Sequence, residues 1–308
     1  MERLQTSCPL CAATTSVVIS RTARDGSPLT CVLCQGCGLA HLHPLPARDE
    51  LAAFYRDRYR LQYKRTYQPK PHHMLRGARV ALDRLHRLRG ILTPGQRVLD
   101  VGCGAGDFLY LLRAAGCLVT GIEPNTGYAA CAREELGLEV HVGPLEDQRF
   151  APAQFDGVTL FHVLEHLPEP VQALSLLASW AGPRGFVAVE VPNLESRCEH
   201  PSHRFHAAHL FYFRADTLER CGKLSGLALT RMETSSDGGN LLAWFRPEPA
   251  IARAAAPPPN GFERSWQIEQ ERSALRYWLS PRTAARAFRR LHRLAEERLT
   301  ARRYASRR

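Results

Sequence analysis

Within the 308 residues, the stretch that leaves the fewest folding options is Arg97-Val-Leu-Asp-Val-Gly-Cys-Gly-Ala-Gly-Asp-Phe108. Val98, Leu99 and Val101 predict a short apolar strand, the glycines at 102, 104 and 106 a tight loop, and Phe108 to Ala115 a helix. Glycine is needed where a ligand approaches the backbone closely and where φ turns positive, so a nucleotide-type ligand is expected on this loop. The next strand, Leu118 to Ile122, runs into Glu123 within Gly121-Ile-Glu-Pro124. An acid there, roughly 20 residues beyond the first glycine, can accept hydrogen bonds from both hydroxyls of a ribose. From Arg97 on, strands alternate with helices, and further strands fall at Leu138 to Val142, Phe155 to Phe161 and Phe186 to Val191. This predicts an α/β fold with a doubly wound, mostly parallel sheet and the ligand beyond the strand carboxyl ends.

Charge selects the ligand. A dinucleotide needs its pyrophosphate at the helix N-terminus, yet Asp100 and Asp107 bracket the loop and repel phosphate. S-adenosylmethionine (SAM) has no phosphate and carries an ammonium and a sulfonium, which carboxylates attract. The spacing is also Gly-x-Gly-x-Gly rather than the dinucleotide Gly-x-Gly-x-x-Gly. In Leu99-Asp-Val-Gly-Cys-Gly-Ala-Gly106 the chain resembles the class I SAM-dependent methyltransferases. The resemblance implies a Rossmann-like, seven-stranded sheet with Asp100, Gly102, Gly104, Gly106, Glu123 and Pro124 around the cofactor. It also implies Leu145 and Glu146, within Gly143-Pro-Leu-Glu-Asp147, near the adenine. His162-Val-Leu-Glu-His166-Leu-Pro is similar to the family segment that lines the methionine side, which adds His162 to the cofactor set.

Ten cysteines in a secreted chain would suggest disulfides, but five of them fall in the first 37 residues as overlapping Cys-x-x-Cys pairs, which is metal spacing. Cys8-Pro-Leu-Cys11 and Cys34-Gln-Gly-Cys37 flank a predicted hairpin, Thr15 to Ser20 and Leu29 to Leu33, turning at Asp25-Gly26. This is the zinc-ribbon arrangement, and the expectation is one structural Zn²⁺ per chain on Cys8, Cys11, Cys34 and Cys37. Cys31 also has ligand spacing to Cys34, but Gly38 after Cys37 supplies the usual knuckle turn, so Cys31 is left out. No apolar run reaches the roughly 18 residues of a membrane span, and the N-terminus lacks a signal-peptide pattern, so a soluble cytoplasmic protein is expected.

The chain divides into a ribbon at 1–46, a helical linker at 47–93, the SAM domain at 94–246, a Pro-rich linker at 247–261 and a basic helical tail at 262–308. In the first linker, Glu50 to Tyr67 places Tyr55, Tyr59, Tyr63 and Tyr67 on one helix face, and a second helix runs from about Leu75 to Ile91. After the fifth strand come His200, His203, His206 and His209, a helix from Ala215 to Leu224, and strands near Leu227 to Glu233 and Asn240 to Phe245. The tail reads as helices over Phe262 to Leu279 and Thr283 to Tyr304, the second with an apolar face suited to packing on the body or to pairing two chains. Residues 251–308 hold 14 Arg against 5 Glu, so most of the net charge of +11 lies there and the catalytic body is nearly neutral.

The ribbon, Val163-Leu-Glu-His166 and His209-Leu-Phe-Tyr-Phe213 together resemble methyltransferases with an N-terminal zinc module, which include sugar C-methyltransferases acting on nucleotide-linked keto-sugars. Those enzymes carry Glu-His at the catalytic centre; this chain keeps the histidine as His209 and has Ala207-Ala208 ahead of it. A methyl acceptor must lose a proton, and neutral histidine suits that task. His209 is the first candidate base, followed by His206 and His162. Without an adjacent carboxylate, His209 is expected to titrate near the ordinary value of about 6.5. The expected activity is methyl transfer from SAM to a small polar molecule such as a sugar or sugar nucleotide. The alternatives are an RNA base methyltransferase holding RNA with the ribbon and tail, or a non-catalytic zinc and SAM binding module.

Overall fold

The computed structural model describes residues 1–58, 71–248 and 257–280, together with helical residues 283–285, 288, 291–292 and 294–297. The chain forms two compact units, Met1–Ala47 with Ala151–Leu279, and Arg48–Phe150 with Ser280–Arg308.

The strands in chain order are β1 Arg3–Gln5, β2 Thr15–Thr22, β3 Pro28–Cys34 and β4 Ala40–Leu42 at the N-terminus. They continue with β5 Arg97–Val101, β6 Leu118–Glu123, β7 Glu139–Val142, β8 Gly157–Phe161, β9 Phe186–Pro192, β10 Phe211–Tyr212, β11 Leu227–Thr234 and β12 Asn240–Pro247. They build two sheets, a five-stranded one in the order β1-β2-β3-β4-β10 and a seven-stranded one in the order β11-β12-β9-β8-β5-β6-β7. In the larger sheet β5, β6 and β7 are parallel, as are β8 and β9, while β12 runs antiparallel to β9 and β11 antiparallel to β12. This is the expected mixed, mostly parallel α/β sheet. The strands Arg97–Val101 and Gly157–Phe161 are short apolar runs because a parallel sheet is covered on both faces: Val98, Leu99, Val158 and Leu160 have no solvent exposure.

The helices are α1 Arg48–Ala53, α2 Pro71–Arg87, α3 Asp107–Ala114, α4 Thr126–Glu134, α5 Pro170–Ala181, α6 Ala215–Leu224, α7 Gly261–Gln270 and α8 Ala274–Trp278. Each main helix has its cause in sequence. α3 buries Phe108, Leu109 and Leu112 on one face, and Asn125 caps α4 by accepting from Tyr128 N–H at 3.1 Å. α5 starts on Pro170, whose missing N–H costs nothing at the first turn.

Three expectations need correction or fall outside the described residues. The helix expected from Glu50 to Tyr67 is α1 followed by a π-helical turn at Phe54–Arg58 that holds Tyr55; Tyr59, Tyr63 and Tyr67 lie outside the described residues. The helix expected from Phe262 to Leu279 is broken into α7 and α8. Ser273 caps α8 by accepting from Arg276 N–H, and Arg272 turns away to donate to Ser196 O at 2.7 Å. Residues 249–256 of the Pro-rich linker and most of the last helix also lie outside the described residues, but Glu296 and Glu297 pair with Arg79 at 3.1 Å and Arg76 at 2.9 Å of α2.

The smaller sheet is more than a ribbon. β10 adds to its edge through β4, with Phe211 opposite His41 and Tyr212 opposite Ala40, and Leu42 N–H donates to Leu210 O at 2.9 Å. α7 packs on the second cysteine knuckle: a Cβ on Gly38 would lie 2.0 Å from Gly261 O, and one on Gly261 would lie 2.4 Å from Cys37 O. Ser265 donates to Gly38 O at 2.8 Å, and the fully buried Arg214 donates to Gly261 O at 2.6 Å.

Candidate active site and metal centre

The glycine loop follows β5. Gly102, Gly104 and Gly106 have φ of 75°, 59° and 85°, the left-handed backbone that glycine adopts without a Cβ penalty. Gly102 and Cys103 both donate to Ile122 O, at 2.8 and 3.1 Å, which folds the loop over the end of β6. Glu123, 2% exposed, closes the cradle: its Oε2 accepts from Gly104 N–H at 2.8 Å and its Oε1 from Asn125 N–H at 3.0 Å. Half-buried Pro124 follows. Glu123 is paired in register with Val142 at the end of β7, and the short turn Leu145–Asp147 comes next, with Leu145 buried and Glu146 half-buried. Asp100, in β5, is buried. All eight of these residues therefore belong to the unit containing 48–150, whereas His162 belongs to the other.

Asp107 opens α3, and its carboxyl is pushed up to about 6 by burial. α2 contributes to that burial, because Gly77 has no side chain and a Cβ there would lie 2.4 Å from Asp107 Oδ2. Water solvates that carboxyl poorly, which disfavours its ionised form.

The histidines assemble in the unit containing 151–279. His162 follows β8 with φ 56°, an unusual value for a residue with a Cβ. A single turn, Leu164–His166, follows and is tied to the segment before β10 by two bonds: Leu210 N–H donates to Glu165 O at 2.8 Å, and His166 Nδ1–H donates to Ala208 O at 2.6 Å. Glu165 is fully buried among three imidazoles. Its Oε1 lies 3.3 Å from His162 Nδ1, 4.0 Å from His166 Nε2 and 3.9 Å from His209 Nε2. His162 Nε2 also faces Glu190 Oε1 at 3.5 Å, and that oxygen accepts from Asn240 Nδ2 at 2.9 Å. The His209 ring lies 4.8 Å from that of His166 and 3.7 Å from that of His206, centre to centre.

These surroundings split the three candidate bases. Burial works against charge on His162, but Glu165 and Glu190 outweigh it and raise its value to about 9. Burial, with Arg24 and His166 nearby, lowers His206 to about 3. Burial, then the charges of His166 and His206, holds His209 well below 6.5. The expectation that His209 titrates near its ordinary value without a carboxylate neighbour is therefore corrected: Glu165 stands beside it, and desolvation dominates. Sequence reasoning singled out neither Glu165 nor Glu190. Glu165 lay inside the His162-Val-Leu-Glu-His166 segment, and the only local signal for Glu190 was an acid near the end of the apolar strand Phe186–Pro192.

At the N-terminus, Cys8, Cys11, Cys34 and Cys37 converge. Cys8 and Cys37 sulfurs are 3.6 Å apart and those of Cys11 and Cys34 3.4 Å, close to the roughly 3.8 Å edge of a zinc tetrathiolate with bonds of about 2.3 Å. Gly36 N–H donates to Cys34 Sγ at 3.3 Å, and Gly38 takes the left-handed turn with φ 74°. Cys31 lies outside the cluster, fully buried in β3, where burial pushes its thiol up.

The family model "Methyltransferase domain" matches residues 72–231, more than half of the chain. The chain belongs to the methyltransferase domain family. Within that family, it is 36% identical over 124 residues to a ubiquinone biosynthesis O-methyltransferase of Bordetella bronchiseptica, covering 38% of this chain and 50% of the relative. It is likewise 36% identical over 128 residues to the protein of that name from Aromatoleum aromaticum, covering 40% and 53%. The chain thus spans about half the length of the curated relatives it matches. Among solved structures, magnesium protoporphyrin IX methyltransferase of Synechocystis PCC 6803 with bound SAH is 15% identical, covering 65% of this chain and 99% of that one, with a TM-score of 0.49. Among the described residues, no helix of this family member is long and apolar enough to cross a membrane.

Proposed function

We propose that the protein transfers the methyl group of SAM to a small polar acceptor, with a structural zinc ion in its N-terminal ribbon. The observation that carries this reading is the cradle after β5 and β6: three left-handed glycines, the buried acid Glu123 at the next strand end, and carboxylates where a dinucleotide would place phosphate. Family membership and relatives named for O-methyl transfer support it. The acceptor is an oxygen or an enolisable carbon of a polar metabolite, the sugar or sugar nucleotide of the sequence resemblance among them. In the reaction the sulfonium C–S bond breaks with its electron pair left on sulfur, the acceptor atom bonds the methyl carbon, and the acceptor's proton departs. His209, whose Nε2 lies 3.9 Å from Glu165 Oε1, takes that proton. Calorimetry with SAM, followed by transfer of labelled methyl into a panel of sugar nucleotides, catechols and RNA, tests the reading. Tight SAM binding and label in a small molecule are expected. Label in RNA alone, or no SAM binding, overturns it.

Four thiolates fill a zinc coordination sphere, so this ion would hold structure and leave no open position for chemistry. One zinc per chain is the expected result of elemental analysis on protein purified without chelator.

A further inference from the structure

We infer that Arg76 and Glu297 are positioning residues for the cofactor: their ion pair holds α2 against the first turn of α3 and so keeps the far end of the glycine cradle covered. The inference rests on the SAM reading of that cradle, and it concerns residues of one compact unit, 48–150 with 280–308. α2 runs along α3. Gly77, Ala81 and Leu88 recur on it at helical spacing, and Ala81 and Leu88 are buried. Where α2 meets Asp107 it presents Gly77, and a Cβ there would lie 2.4 Å from Asp107 Oδ2, so the helix backbone excludes water from that side of the carboxyl. Asp107 directly follows Gly106, the last glycine of the cradle. At the cradle's other side, Asn125 donates from Nδ2 to Arg56 O at 3.1 Å and from its backbone N–H to Glu123 Oε1 at 3.0 Å.

A helix that meets its neighbour through a glycine buries little apolar surface at that point, so the cover needs an anchor. The anchor comes from the far end of the chain. Arg76, next to Gly77, donates from Nε to Glu297 Oε1 at 3.3 Å and from Nη2 to Oε2 at 2.9 Å, a two-pronged pairing with fixed geometry. The Glu297 side chain is 2% exposed and that of Arg76 39%, so the carboxylate is held out of water and loss of its partner is costly. One turn along α2, Arg79 pairs with Glu296 at 3.1 Å, but both are nearly half exposed and water screens them. The buried pair therefore carries the docking. With α2 in place, burial keeps the Asp107 carboxyl up at about 6. α2 faces it with an uncharged glycine, and the Cys131 thiol of α4, which senses its charge, is itself raised and uncharged at that pH. When α2 lifts, water reaches the carboxyl, and its titration moves down towards the ordinary value of about 4.

Surface plasmon resonance with SAM on the full-length protein, from about pH 4.5 to 8, provides the test, with Arg76→Met and Glu297→Gln as probes and Arg79→Gln as control. SAM is expected to leave Arg76→Met and Glu297→Gln at least roughly tenfold faster than the parent, and the midpoint of affinity against pH to fall by about one unit, with Arg79→Gln unchanged in both. General loosening of the fold would weaken binding without moving that midpoint. Thermal unfolding identifies loss of fold. If both probes fail to fold, Arg76→Lys, which keeps the charge but loses the fork, takes their place, with SAM release roughly threefold faster expected. Parent-like release and midpoint in the folded variants, or an equal effect of Arg79→Gln, overturn the positioning role and leave the SAM reading intact. No SAM binding by the parent protein overturns both.

Discussion

Glu123 meets two demands at once. It accepts from the loop at Gly104 and from the first residue of the next turn at Asn125, so it orders the cradle and would also receive the ribose. Replacing it with alanine removes charge-assisted bonds worth roughly 1.5–3 kcal/mol each, so calorimetry should show SAM affinity at least tenfold weaker. Asp107 sets a pH dependence. Its carboxyl, raised from 3.8 to about 6 by burial, is protonated in the free protein near pH 5 and ionised above about pH 7. A cationic ligand favours the carboxylate, so SAM should bind more tightly as pH rises through about 6 and then level off; Asp107→Asn should flatten the curve. The folded value exceeds the unfolded one, so the group's stabilising contribution is full below about 4 and is lost as pH rises through about 6. The same asparagine variant should therefore melt higher than the parent at neutral pH without ligand.

At the level of elements, the turn Leu164–His166 and the strand Phe211–Tyr212 are tied together on either side of His209. If His209 serves as base, His209→Asn should lower kcat by roughly 10² to 10⁴ with SAM affinity nearly unchanged, measured with the acceptor found in the labelling panel. The sequence was most legible where one element carries its own periodicity. Ala215–Leu224 has the bounds expected from its apolar spacing, and the parallel strands end within two or three residues of expectation. The glycine loop was legible because backbone conformation and residue type coincide there. The pairing of Ala40–Leu42 with Phe211–Tyr212 was not, because strands of two or three residues have no period and pairing across most of the chain leaves no local trace. Glu165 beside His209 escaped for the same reason. Its raised neighbour His162 and its lowered neighbour His209 differ through burial and long-range contacts that spacing does not encode. The break between α7 and α8 depended on a cap at Ser273 inside an otherwise helical pattern.

Across the whole chain, the N-terminal 47 residues share a unit with 151–279, and the backbone contact between Gly38 and Gly261 holds α7 against the second knuckle. Gly261→Ala puts a Cβ into Cys37 O, which the knuckle cannot yield easily; a loss of about 1–3 kcal/mol in denaturant unfolding is expected. Chelating the zinc should melt this unit's small sheet, read by circular dichroism and turnover, while SAM titration stays largely unchanged because every cradle residue apart from His162 lies in the other unit. The addition of Phe211–Tyr212 to the edge of the cysteine-bearing sheet has a pharmacological corollary. A thiol-reactive, zinc-ejecting compound would unseat the strand that follows His209 without competing for the cofactor. Its inhibition would lower Vmax at every SAM concentration, and no excess of SAM would rescue the enzyme.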